Sequence, residues 1–146
     1  MSNQMLGIVI GGVLPAICFG ISAVFTKASN LAGVGIGPYI LLVGLAVVGV
    51  GVVSLSLLGD STISFASARY AVLAGLTWAV GAACFSFALA RYRAPVSILV
   101  PLYNMNTVIA VVFGLWVFSE WQSINLIRLV LGTLLIILGG VLVSIS

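Results

Sequence analysis

The stretch Pro38 to Leu58, PYILLVGLAVVGVGVVSLSLL, decides the fold class of this chain, because it carries no charged residue over a length that spans a bilayer. A helix needs about 20 mostly apolar residues to cross a hydrocarbon core about 30 Å thick. Similar runs lie on both sides of this stretch. The sequence therefore predicts one all-α integral membrane domain, residues 1–146, with five transmembrane helices at about 4–26, 38–58, 69–90, 95–119 and 125–144.

The composition of the 146-residue chain agrees with a membrane protein. It is 63% hydrophobic and 5% charged, whereas a soluble domain carries about 25% charged residues. The net charge of +3 comes from five scattered cations, which excludes a nucleic-acid binding protein. His is absent and the two cysteines lie in separate apolar runs, so we expect no zinc site, no disulfide scaffold, no cofactor and no enzymatic activity.

The arrangement of Lys and Arg bears on how the chain is oriented. The first run follows MSNQ, which has no cation, so we interpret it as a retained helix rather than a secretory signal. With five spans, Arg69 and Arg128 lie on the N-terminal side of the membrane, and Lys27, Arg91 and Arg93 lie on the other. Orientation follows a clear cytoplasmic excess of cations, and two against three is no clear excess. Two alternatives stay open. One is a weak preference for the orientation that places three cations in the cytoplasm, and the other is insertion in both orientations.

The fourth span holds the densest cluster of polar residues. One helix face there carries small and polar side chains: Tyr103, Asn106, Thr107, Ala110 and Gly114. Asn104 points elsewhere, and Pro101 removes one backbone donor and frees a carbonyl. Either these groups bond neighbouring helices or they line a polar cavity.

Two other spans carry small or polar residues at helical spacing. They are Gly11, Pro15, Cys18, Ser22 and Thr26 on the first, and Gly75, Trp78, Ala82 and Ser86 on the third. Pro15 either packs as a simple kink or bends the helix to open a cavity, and we predict hinges at Pro15 and Pro101. Trp78 lies near mid-span, where its indole N–H needs a partner or a ligand.

The fifth span is marked by glycines. Gly132 and Gly139 are seven residues apart and therefore stack on one face, where either two copies or two helices of one chain can cross closely. We assign a dimer interface to Gly132, Gly139 and Gly140.

Two stretches are similar to a known family. Ser86 to Ser144, SFALARYRAPVSILVPLYNMNTVIAVVFGLWVFSEWQSINLIRLVLGTLLIILGGVLVS, resembles the C-terminal part of one repeat of the EamA-like drug/metabolite transporter superfamily. An Ala-rich third helix, a short basic turn, a P-L-Y stretch, a helix ending in Glu and a glycine-marked last helix follow in the family's order. Cys18 to Ser29, CFGISAVFTKAS, is similar to the first helix of that repeat. Typical members contain ten helices as two repeats, whereas this sequence has one.

The resemblance implies an inverted-repeat transporter of which the five helices form one half. A lone repeat builds that architecture by pairing with an oppositely inserted copy. We therefore expect a small transporter in the cytoplasmic membrane of a bacterial or archaeal cell, active in the lipid bilayer as an antiparallel homodimer that works by alternating access on a small-molecule substrate.

The residues expected to line the central path are Ser22, Thr26, Tyr39, Trp78, Ser86, Tyr103, Asn104 and Asn106. Amides and phenols beside an aromatic wall suit a neutral or zwitterionic solute, such as an amino acid or a sugar. Two alternatives stay open. A lipid-carrier flippase would use Arg91 and Arg93 for an anionic phosphate, and a non-transporting scaffold would use the polar faces to join helices.

Proton coupling is not expected. Intramembrane carboxylates mark proton relays and cation sites. Here Asp60 falls in a predicted loop and Glu120 at a helix edge, and no predicted span has an ionisable residue at its centre. We therefore expect a facilitator or a gradient-driven exporter that a proton gradient does not drive.

Overall fold

The computed structural model of the chain describes residues 3–59, 61–119, 121 and 124–145, with the side chains of residues 3 and 4 left aside. Within these ranges all regular structure is helical. Five spans are long and apolar enough to cross a membrane: Met5–Leu31, Ile36–Leu58, Phe65–Arg91, Val96–Val117 and Leu126–Ser144. Within the described residues, the prediction of an all-helical structure with five helices long and apolar enough to span a membrane is confirmed, and these helices indicate a multi-pass membrane protein. Asp60 and Glu120 lie outside the described residues.

The first span has an irregular beginning. Helix α1 (Asn3–Ile8) passes into a π-helical segment (Val9–Val13), which passes into α2 (Leu14–Leu31). At the junction the backbone N–H of Leu14 donates to the carbonyl of Val9, five residues back. Pro15 has no N–H, and its ring would press on the carbonyl four residues earlier in a regular helix, so a wider turn accommodates it.

The first span also ends later than predicted. The predicted end at Thr26 is wrong, because the helix continues to Leu31 and stops at Gly33, whose φ of +89° is left-handed. There the N–H of Val34 donates to Ser29 O at 3.4 Å and that of Ala32 to Ala28 O at 3.0 Å. A glycine in this conformation is a common helix terminator.

The second and third spans are continuous helices. Helix α3 (Ile36–Leu58) ends at Gly59, which is left-handed with a φ of +64°. Helix α4 (Phe65–Arg91) begins four residues before its predicted start. Ser64 explains the difference, since its hydroxyl accepts from the Ser67 N–H at 3.1 Å and its own N–H donates to Ser67 Oγ at 3.0 Å. This reciprocal capping satisfies two backbone donors that a helix start leaves open.

The predicted fourth helix is in fact two. Helix α5 (Val96–Tyr103) and helix α6 (Asn106–Val117) meet at a tight turn inside the single candidate span Val96–Val117, so the span predicted at about 95–119 is present but interrupted. The N–H groups of Met105, Thr107 and Val108 each donate to the carbonyl three residues back, at 3.0–3.1 Å. The shared helix face proposed for Tyr103 and Asn106 is therefore carried across a 3₁₀-type turn. Helix α7 (Leu126–Ser144) completes the chain.

The helices form two compact units, Met1–Arg93 and Ala94–Ser146. In the first unit α4 packs against α2 and α3, and in the second α7 packs against α5 and α6. Most large apolar side chains of both units are exposed, as expected for helices that face lipid.

Candidate functional site

The most buried side chains of the first unit lie where α2 meets α4. Ala23 and Thr26 on α2 are 5% and 6% exposed, and Ser86 and Leu89 on α4 are 0% and 7% exposed. Each pair is three residues apart and so lies on one face of its helix. Two of these four side chains are hydroxylic, so the centre of this unit is polar although its surface is apolar.

Thr26 joins α2 to α3. Its Oγ1 donates to the carbonyl of Ser22, one turn back, at 2.9 Å, and lies 2.8 Å from the hydroxyl of Tyr39. A threonine hydroxyl has one proton, and Thr26 donates it in the hydrogen bond to the Ser22 carbonyl. The hydroxyl of Tyr39 is therefore the donor to Thr26 Oγ1.

Asn30 joins α2 to α4. The hydroxyl of Ser86 donates to Asn30 Oδ1 at 3.0 Å, and Asn30 Nδ2 donates to the carbonyl of Thr26 at 2.8 Å. A carboxamide nitrogen carries two protons, so one N–H of Asn30 is still available for a further partner. We call Thr26, Asn30, Tyr39 and Ser86 the polar network.

Local sequence explains why the polar network forms at the ends of three helices. Thr26 and Asn30 are four residues apart in the last two turns of α2, and Tyr39 lies in the first turn of α3. The connection from Ala32 to Gly35 is short, so the start of α3 lies beside the end of α2. Ser86 is in the second-last turn of α4, a helix that runs in the same direction as α2 in the order of spans.

The polar network is uncharged. The two carboxylates of the chain are Asp60 and Glu120, so no acidic side chain occurs within the described residues. Among these residues no cluster of His, Cys, Asp or Glu is able to hold a metal ion, and no buried side-chain polar atom lacks a hydrogen-bond partner. The polar network therefore offers directional hydrogen bonds without a fixed charge.

The structure brings together three of the predicted path residues, Thr26, Tyr39 and Ser86, and adds Ser22 through its carbonyl. The side chain of Ser22 itself is exposed. Asn30 was missed. Its spacing of four from Thr26 was the available signal, but a span that ends at Thr26 puts Asn30 in a loop.

No family model, curated protein or solved structure matches the chain. The chemistry of the polar network is therefore inferred from its own donors and acceptors, which are hydroxyl, phenol and carboxamide groups.

Trp78 lies apart from the polar network. It is the central residue of α4, as the sequence predicts, and its side chain is 52% exposed. Ser86 is eight residues further along the same helix, about 12 Å along the axis. The indole ring therefore faces lipid or another surface at mid-span.

The predicted residues of the fourth span lie at the break between α5 and α6. Tyr103 ends α5 and is 38% exposed, and the side chains of Asn104 and Asn106 are exposed as well. An amide that faces hydrocarbon loses its hydrogen bonds to water at a cost of about 2–7 kcal/mol. These amides therefore favour contact with a polar surface over contact with lipid.

The hinge and interface residues differ in their surroundings. Pro15 is the second residue of α2, which follows the π-helical segment, and Pro101 lies inside α5. A Cβ placed on Gly140 would lie 3.4 Å from Met105 Cγ and 3.5 Å from the carbonyl oxygen of Pro101. Gly140 is thus a packing position within the chain itself. Gly132 and Gly139 have no such neighbour within 4 Å and remain open to another surface.

Proposed function

We propose that this chain is a small membrane transporter that moves a neutral or zwitterionic polar metabolite, of the amino-acid or sugar class, by alternating access. The observation that carries the proposal is the polar network, which concentrates uncharged donors and acceptors where three spans meet. Binding sites for small polar molecules combine apolar walls with a few convergent polar groups.

The energies of the polar network suit a structure that opens and closes. Two of its hydrogen bonds cross between helices, Tyr39 to Thr26 and Ser86 to Asn30. In membrane proteins such bonds average about 0.6 kcal/mol and reach about 1.7 kcal/mol. Opening this end of the first unit would therefore cost a few kcal/mol at most by this measure, and a solute that takes over the same donors would offset it.

The assembly that fits this function is an antiparallel homodimer in the cytoplasmic membrane, with each chain acting as one EamA-like five-helix repeat. The nearly balanced cations, two against three, permit insertion in both orientations. The exposed amides of Asn104 and Asn106 also support a covering partner, because lipid satisfies no hydrogen bond.

Flux through reconstituted protein tests the proposal. Liposomes containing the purified chain are given labelled neutral amino acids and sugars, and we expect saturable uptake of at least one of them. Thr26→Val, Tyr103→Phe and Asn106→Ala should reduce uptake or binding more than they reduce stability. Thr77→Val is the matched control, because its hydroxyl bonds only carbonyls of its own helix, at 3.0 Å.

A scaffold protein predicts a different result. Every hydroxyl and amide of the polar network has a partner within the chain, as interhelical links that serve only assembly would have. In that case no solute moves, and the same variants lose stability in proportion to the bonds removed.

Orientation is tested separately with a reporter fused to the C-terminus. Dual insertion predicts substantial reporter activity on both sides of the membrane. Two lysines added to the connection at Ser61 to Ala66 should fix one orientation and abolish function. Signal on one side only would exclude the antiparallel homodimer and favour a parallel assembly.

A lipid-carrier flippase is the second candidate, favoured by two exposed cations, Arg91 at the end of α4 and Arg93 in the connection that follows. It predicts transfer of a phosphate-bearing lipid between leaflets, with loss of transfer in Arg91→Gln.

A further inference from the structure

Lys27 lies further inside its helix than the sequence predicts. The sequence put Lys27 at a span edge, but α2 continues to Leu31, which leaves it one turn inside the helix. The Ser86–Asn30 hydrogen bond sets α2 and α4 at equal depth at these two residues. At a rise of about 1.5 Å per residue, Lys27 is then about 4.5 Å below that level and Arg91 about 7.5 Å above it.

The length of α4 converts this offset into a depth. Its 27 residues extend about 40 Å, which exceeds a hydrocarbon core of about 30 Å by about 5 Å at each end. With α4 centred across the hydrocarbon core, the backbone of Lys27, about 12 Å below the end of α4, lies about 7 Å inside the hydrocarbon edge.

The side chain of Lys27 borders the polar network. It is exposed, three residues before Asn30 and four residues after the buried Ala23, so it lies at the margin of the packed face of α2. An ionisable residue at this depth is expensive and points to a functional role.

The chain supplies no acid for Lys27 on its side of the membrane. In the order of spans, Asp60 and Glu120 occur in the connections after the second and fourth spans, whereas Lys27 is at the end of the first. An ammonium group inside a membrane needs either a counter-ion or a route to the interface, which its flexible stem offers.

We propose that Lys27 pairs with a carboxylate of the transported solute, with the free N–H of Asn30 beside it. The proposal rests on the transport function and narrows the substrate to zwitterionic amino acids or other small carboxylates, as opposed to sugars. Without solute, the ammonium extends to the interface; with solute, it turns to the carboxylate next to the polar network.

Paired probes test this assignment on the purified, reconstituted chain. The probes are neutral L-amino acids, each beside its carboxamide, and L-lactate beside lactamide, with glucose as the sugar. We expect the carboxylate of a pair to bind about tenfold more tightly than its amide, as a charge-assisted hydrogen bond predicts. Lys27→Gln should remove this preference, and Lys27→Arg should retain most of it.

Arg91→Gln is the matched control, because it removes the same charge from the same side of the membrane and should keep the preference. An unchanged carboxylate preference in Lys27→Gln overturns the proposal. So does the same loss in Asp60→Asn or Glu120→Gln, which would identify a carboxylate of another copy as the counter-ion. Saturable flux of glucose alone also overturns it and leaves the transport function standing, whereas no flux of any probe overturns both.

Discussion

The two compact units of the chain hold their helices together by different means. In the first, hydroxyl and amide side chains link α2 to α3 and α4 at distances of 2.8–3.0 Å. In the second, α5 and α7 approach closely at Gly140, which packs against Met105 and the carbonyl of Pro101. Between helices in lipid, apolar burial supplies little driving force, so polar bonds and small residues are the two available solutions. The polar network leaves side-chain groups that a solute can exchange, whereas Gly140 brings no polar side chain to its contact.

The largest expected effect of a substitution is at the buried end of the polar network. Ser86→Val adds atoms where the side chain is 0% exposed and removes the donor to Asn30. We expect a loss of about 2–3 kcal/mol in the free energy of unfolding. Reversible denaturation in mixed micelles, followed by tryptophan fluorescence, measures it.

The control is Ser56→Val on α3, whose hydroxyl is exposed and bonds only Val52 O at 3.0 Å. It should change stability by about 0.5 kcal/mol or less. Equal losses in both variants would show that the first unit does not depend on its polar centre.

The second unit is tested by filling its glycine contact. Gly140→Leu forces side-chain atoms against Met105 and Pro101, and we expect it to cost about 2 kcal/mol in the same denaturation experiment. Gly132→Leu is the matched control, since nothing lies within 4 Å of a Cβ there. If Gly132 lies between two copies, Gly132→Leu weakens the dimer, measured by light scattering in detergent, while the stability of the chain stays near that of the wild type. Full stability in Gly140→Leu would remove the contrast between the two units.

How far the sequence predicts this structure depends on the kind of signal. The five spans follow from long apolar runs such as Pro38 to Leu58, because span length is fixed by bilayer thickness. Helix ends are harder to predict from the sequence than the spans themselves. Gly33 and Ser64 terminate and start helices through backbone conformation and capping, which the apolar runs alone do not predict.

The candidate site was predicted in part. Thr26 and Ser86 are predicted from small or polar residues at helical spacing, Tyr39 is predicted among the path residues, and the structure brings the three together. Asn30 depends on where α2 ends, so the early end predicted for the helix concealed it. The sequence does not predict the break after Tyr103, because the break contains no glycine and the proline nearest to it, Pro101, lies inside α5.

A smaller effect is expected from the link between α2 and α3. Thr26→Val keeps the shape of the side chain but leaves the Tyr39 hydroxyl without its acceptor. We expect a loss of about 1 kcal/mol, within the range known for interhelical hydrogen bonds in membranes. Thr77→Val should lose less, because no other helix shares its bonds. Equal stability losses in Thr26→Val and Thr77→Val would mean that the Tyr39–Thr26 hydrogen bond between helices stabilises the chain no more than hydrogen bonds within one helix do.

The smallest expected effect is that of pH. The polar network is uncharged, His is absent and the carboxylates are Asp60 and Glu120, one in each predicted connection on the N-terminal side. Flux in liposomes should therefore be nearly flat between about pH 5.5 and 8, and an imposed proton gradient should not drive it. Uphill accumulation that Glu120→Gln abolishes would show that this carboxylate reaches the pathway.

The π-helical segment Val9–Val13 makes the orientation of the six residues of α1 depend on the presence of one residue in that segment. A π turn holds about one residue more than an α turn, so deleting Gly12 would restore an uninterrupted α-helix through Pro15 at the cost of the strain around that ring. One residue corresponds to about 100° of rotation, and Asn3–Ile8 would then present a different side to their surroundings. The direction that α1 faces is thus set by the number of residues between Ile8 and Leu14, and it does not depend on which side chains α1 carries.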